Sequence, residues 1–173
     1  MTQDYAIYAE YSPDSKAAEA GWNTRVFTHV EVQSGQSIAV DLDTGFITLA
    51  PGTYHITGYA AVTYATFAEP SQMVTTRCPA DGGYCRLRYV DPEVDIAGNG
   101  SADDIGNQDA IVIGSAATAN VIPSMFETYV ETDEETQLIL EHQTGDDPQQ
   151  IYLRQYSEDS IWHVFSRISI RRL

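Results

Sequence analysis

The chain has 173 residues and a mass of 19.1 kDa, enough for one domain with a real hydrophobic core. Its 25 acidic and 9 basic residues give a net charge of -16, a surface that repels phosphate backbones and argues against nucleic-acid binding. No basic start runs into an apolar stretch and no apolar segment approaches bilayer length, so the expectation is a protein with no signal peptide and no membrane insertion. Hydrophobic residues make up 43%, and the 11 tyrosines outnumber the other aromatics, which points to a β-rich interior rather than disorder. Lys16 is the only lysine; this bias fits either a salt-rich habitat or a GC-rich genome.

Residues 5–11 read as a first strand, with Tyr5, Ile7 and Ala9 on one face. A polar, Ala-rich loop spans 13–21. Over 24–32, Val26, Thr28, Val30 and Val32 alternate with Arg25, Phe27, His29 and Glu31, the period of a strand. A further strand at 37–42 and a tight turn at 43–45 lead into 46–64, the stretch around which the chain is organised. Pro51-Gly52 specifies a reversal there, because Pro fixes φ at one central turn position and Gly tolerates the other. Beyond it, Tyr54, Ile56, Gly58, Ala60, Val62 and Tyr64 share one face, while His55, Thr57, Tyr59, Ala61 and Thr63 share the other. Neither face carries a formal charge, which predicts burial on both sides, with a second subunit as a candidate cover.

After a crossing loop at 65–72, Cys78 and Cys85 stand at the feet of a candidate hairpin that turns at Asp81-Gly82-Gly83. Placed opposite each other they are candidates for a disulfide, depending on the redox compartment. Two thiolates with no nearby His supply only half a zinc shell. Residues 91–109 form an irregular excursion rich in Asp, Gly and Asn, of the kind that often carries function. Residues 110–114 are apolar, 124–131 alternate, 133–135 turn, 137–142 return, and 151–156 and 161–173 close the chain. Roughly ten short strands with no helix pattern make this an all-β, two-sheet sandwich or jelly roll, a single domain over 1–173.

Catalytic signatures are missing: no Gly-x-Ser-x-Gly elbow, no phosphate-cradling loop and no His-Glu-x-x-His. His29, His55, His142 and His163 are far apart in sequence and lack the close His-x-His pair of a cupin-type metal enzyme, so each reads first as a structural residue. Asp91, Glu93 and Asp95 are spaced as hard-cation ligands can be, followed by Asp103, Asp104 and Asp109. An EF-hand is excluded by Ile96 at its sixth place and Ala102 at its twelfth, which leaves calcium as the lesser reading and a solvated loop as the greater. Asn99-Gly100-Ser101 matches a glycosylation sequon. Arg167, Arg171 and Arg172 concentrate positive charge at the end of the chain. They read equally as a solvated terminus or as partners for neighbouring carboxylates in an assembly, where three copies of a -16 chain carry -48.

Several stretches together resemble the jelly rolls of the tumour necrosis factor domain and the globular head of complement subcomponent q. They are Trp22-Asn23-Thr24-Arg25; Gly45-Phe46 through Pro51-Gly52-Thr53-Tyr54; Cys85-Arg86-Leu87-Arg88-Tyr89; Ser124-Met125-Phe126 with Gln137 to His142; and the closing 164–173. The resemblance runs in order along nearly the whole chain, carried chiefly by Phe-x-x-x-x-Pro-Gly-x-Tyr. It implies a non-catalytic, trimer-forming jelly roll without cofactors, with Tyr59, Ala61 and Phe165 at the trimer interface. It also implies outer surfaces that bind a cell-surface glycan, a receptor or another structural protein serving as mount. Unlike the family pattern, the expectation here is of no collagen-like or coiled stalk before the first strand. The functional expectation is a homotrimeric structural or attachment module at the virion or extracellular surface: a decoration, turret or fibre-tip protein of a phage or archaeal virus. The alternatives are a secreted or surface carbohydrate- or receptor-binding module and, third, a cupin-type metal enzyme.

Overall fold

The computed structural model of the protein describes residues 3–64, 82–144, 151–156 and 163–173. It is an all-β antiparallel sandwich, as the strand pattern predicts. The strands are β1 (Tyr5–Tyr11), β2 (Lys16–Ala17), β3 (Trp22–Thr24), β4 (His29–Ser34), β5 (Ile38–Val40), β6 (Ile47–Leu49), β7 (Gly52–Ala60), β8 (Thr63–Tyr64), β9 (Tyr84–Tyr89), β10 (Ala110–Ile113), β11 (Ser124–Thr132), β12 (Thr136–Gln143), β13 (Ile151–Arg154) and β14 (Val164–Arg172). One sheet runs β11-β7-β14-β1-β4. The other runs β10-β9-β12-β6-β5, with β3 also paired to β12, and β2-β13-β8 form a small third sheet. The chain crosses repeatedly between the two large sheets.

Inward residues of both large sheets meet in one apolar core that includes Tyr8, Ile47, Ile56, Leu87, Leu138 and Ile168, all fully buried. A second, smaller cluster of Ala18, Val62, Ala119, Ile151 and Leu153 lies under the small sheet. Between the two clusters sits a buried charge, Arg25. Its Nε donates to Glu10 Oε2 at 2.8 Å and its Nη2 to the Leu153 carbonyl at 2.9 Å. Glu10 also accepts from Ser166 Oγ at 2.8 Å and from Arg154 Nη1 at 3.1 Å, so the carboxylate is saturated where solvent cannot reach it.

Three stretches depart from the local reading. The alternation over 24–32 is not one strand: β3 belongs to the six-stranded sheet and β4 to the five-stranded one, and the intervening residues cross the core. There Arg25 N bonds Leu140 O and Thr28 N bonds Ala9 O, while Phe27 is fully buried. The run 54–64 is likewise broken after Ala60, where Ala61 N turns to Phe165 O and the chain enters the small sheet as β8. Pro51-Gly52 does reverse the chain, but β6 and β7 lie in opposite sheets, so the reversal is a corner and not a hairpin. The Tyr54 hydroxyl closes that corner, donating to Ala50 O at 2.7 Å, which explains why Tyr follows Pro-Gly at this spacing.

Candidate functional site

Register fixes what the five-stranded sheet presents to the outside. Met125, Tyr59, Arg167, Ala9 and His29 form one row across β11-β7-β14-β1-β4. Glu127, Thr57, Ser169, Ile7 and Val32 form the next, and Tyr129, His55, Arg171, Tyr5 and Ser34 a third. Alternate residues point inward, so these rows are the uncovered face of the sandwich. Its large side chains stand open in the free chain: Met125 is 57% and Tyr129 64% exposed. At the centre, Ile7, Tyr59, Met125 and Arg167 line a shallow hollow.

Several charged groups on this face have partners within the chain. Arg167 Nη2 lies 2.7 Å from Glu31 Oε2, and the Tyr11 hydroxyl donates to Glu31 Oε1 at 2.7 Å. That bond holds the Tyr11 phenol above its ordinary value. Burial raises the Tyr59 phenol, opposed by the nearby Arg167 cation. His55 Nε2 lies 2.7 Å from the Glu127 carboxylate, and the His55 ring stacks on Tyr129 with centroids 4.8 Å apart. Arg171 donates to Gln3, and Arg172 to Ser37 Oγ and Pro51 O, so the terminal arginines have partners in their own chain. Between these groups lies apolar and aromatic surface.

Tyr59, Ala61 and Phe165, the residues the resemblance places at an interface, do come together, lining one hollow with Ile122 and Pro123 at the end of this face. Tyr59 and Ala61 are half-buried, whereas Phe165 is already covered at 5% exposure. Ile7, Met125, Tyr129 and Val32 escape sequence reading, although the alternation of 124–131 carries the signal for Met125 and Tyr129.

The other candidates disperse. Cys85 is a free, buried thiol whose Sγ lies 3.7 Å from Ser124 O, and burial pushes its pKa up. Cys78 and the expected arm at 73–77 lie outside the described residues. Of that hairpin's turn, Gly82 and Gly83 are described. Gly83 has φ +70 and lies so close to the Gln143 carbonyl that a Cβ there would collide with it. His29 and His55 lie on the open face and His142 in the core. His142 Nε2 bonds Gly82 O at 2.7 Å while its Nδ1 is buried without a partner. His163 stands at the end of the open face, lining the hollow of Tyr59, Ala61 and Phe165.

The acidic excursion forms three short helical turns, Pro92–Ile96, Ala102–Asp104 and Asn107–Asp109, none with a buried residue. It straps the outer face of the six-stranded sheet. Beneath it, Arg86 and Arg88 share Glu141, with Arg86 Nε and Arg88 Nε at 2.8 and 2.9 Å from Glu141 Oε2. Arg86 also donates to the Ile105 and Ala102 carbonyls and lies 3.8 Å over the Trp22 ring. Arg88 makes a bidentate pair with Asp95 at 2.7 Å for both bonds. Burial pushes the Asp95 carboxyl up, but the Arg88 bonds, the Asp91 N–H and the charges of Arg88 and Arg86 together outweigh it and hold the pKa low. Asp91, Asp103 and Asp104 accept backbone N–H groups of Glu93, Trp22 and Ser101. Asp91, Asp95, Asp103 and Asp104 thus help to hold the excursion in place, and among the described residues no group of three His, Cys, Asp or Glu is placed to hold a metal ion.

No protein-family model matches the chain, and no curated protein is significantly similar to it.

Proposed function

We propose that this protein is a non-catalytic structural or attachment module that self-associates, as a trimer, through the outer face of its five-stranded sheet. The observation that carries the reading is the uncovered row structure around Tyr59, where Met125 and Tyr129 stand exposed beside half-buried Ile7 and Tyr59, while Arg167 already lies against Glu31 and His55 against Glu127. Apolar surface of this kind gains by being removed from water, and a second copy offers the same surface in return. The setting we assign is the surface of a virus particle, as a decoration, turret or fibre tip mounted on another structural protein. A strongly anionic, hydrated exterior over a core tied by buried ion pairs suits a protein that works outside a cell.

The test is solution mass by light scattering across a concentration series. The expected species is three times the 19.1 kDa chain, and Tyr59→Glu, which sets a carboxylate in the hollow, shifts it to monomer with an unchanged circular dichroism spectrum. A wild-type protein that stays monomeric at high concentration overturns the reading.

A further inference from the structure

The tip of the strap over the six-stranded sheet reads Gly98-Asn99-Gly100-Ser101. We propose that Asn99 is a self-modification site, at which the chain converts its own asparagine to aspartate and isoaspartate with water as the only co-reactant. In the first step the Gly100 peptide nitrogen loses its proton to solvent base and bonds to Asn99 Cγ. The Cγ–Nδ2 bond breaks, ammonia leaves, and a five-membered cyclic imide remains. Water then adds to one of the two imide carbonyls. Opening one C–N bond gives aspartate; opening the other gives isoaspartate, with the main chain running through the former side chain.

The reaction needs a side-chain amide free of partners, a following N–H that is not engaged, no side chain crowding the attack, and a backbone able to swing into the closing geometry. The tip meets all four. Asn99 is exposed, and among the described residues neither its side-chain amide nor the Gly100 N–H has a hydrogen-bond partner. Gly100 has no Cβ to obstruct the approach to Cγ. On the other side, Gly98 sits at φ +66 with open space around it, and the Asn99 N–H is held only by a long 3.3 Å bond to Glu93 O.

The other three asparagines are built against the same step. Asn23 is 7% exposed, its amide donates to Glu19 O and Gly21 O, and the β-branched Thr24 follows it. Asn107 donates to the Tyr84 hydroxyl at 3.0 Å and precedes Gln108. Asn120 precedes the β-branched Val121. The modification adds a negative charge, and in the isoaspartate form a methylene, to the strap that Arg86 and Arg88 hold down. It lies on the sheet opposite the proposed association face and leaves that face untouched.

The test uses the intact chain, aged in mildly alkaline buffer and mapped by proteolysis and mass spectrometry. The peptide containing Asn99 should gain one mass unit ahead of every other asparagine and split into two chromatographic forms, one of them a substrate for isoaspartyl methyltransferase. Gly100→Ala, whose Cβ would meet nothing closer than 3.4 Å, should slow the change severalfold without altering the fold. Comparable rates at Asn23, Asn107 or Asn120, or a rate indifferent to Gly100→Ala, would overturn the assignment.

Discussion

The two outer faces of the sandwich are opposites in a way hydropathy does not anticipate. The six-stranded sheet carries Arg86, Arg88 and Glu141 on its outer side, and those charges are the ones sealed from water. The five-stranded sheet carries Ile7, Tyr59, Met125 and Tyr129, and that face is open. Burial here follows satisfaction rather than polarity. Each guanidinium under the strap finds a carboxylate and backbone carbonyls in fixed geometry, so its chain can cover itself. Ile7 and Met125 offer the strap almost nothing to bond to, and Tyr59 and Tyr129 one hydroxyl each, so a polar excursion gains little by lying on them.

The largest expected effect comes from breaking the covered face. Glu141→Gln removes the carboxylate shared by two buried guanidinium groups and should cost about 3–5 kcal/mol in urea unfolding. A loss under about 1 kcal/mol, within ordinary mutational scatter, would mean that the pairing does not hold this side together.

Acid comes next, and it acts on the inner side of the same sheet. Burial, with the neighbouring Arg25 cation, lowers the His142 pKa from 6.5 to about 4. Between those values the unfolded chain binds the proton and the folded one does not. The stability contributed by neutral His142 is therefore complete above pH 6.5 and lost as pH falls, by about 3 kcal/mol at pH 4. His142→Gln, which retains a donor for Gly82 O, should flatten that part of the stability–pH curve; an unchanged slope would place the sensitivity elsewhere.

The smallest effect belongs to the open face. Tyr129→Ser, at a position 64% exposed, should leave monomer stability within about 0.5 kcal/mol while weakening association. A large loss of monomer stability would show that this face is part of the protomer's own support.

Sequence pattern reached the class of fold and the directions in which the chain turns, because those depend on neighbouring residues. Pro51-Gly52 and the acidic turn at 133–135 both reverse the chain where expected. Yet each joins strands of opposite sheets, since β6 and β12 lie in one and β7 and β11 in the other. Which sheet a strand joins is decided by pairings far away in sequence, such as Tyr59 with both Met125 and Arg167, and no local periodicity encodes that. The Arg25–Glu10 pair was hidden for the same reason, though one trace was visible: Glu10 follows Ala6 and Tyr8 at inward positions of a strand, where an unpaired carboxylate could not remain. Tyr59 was legible because an aromatic outside an uncharged strand is anomalous by itself. Its neighbours were not, because the open face exists only once four other strands are laid beside β7.

Arg25, Arg86 and Arg88 are three of nine basic residues, and all are hidden from solvent. The acids exposed outside are left with few fixed counter-charges. In dilute buffer the molecule therefore behaves as an anionic colloid surrounded by a diffuse cation cloud, whose thickness is about 10 Å at 0.1 M salt and shrinks as salt rises. Dissolved cations, rather than its own arginines, set how closely two copies approach before their surfaces touch.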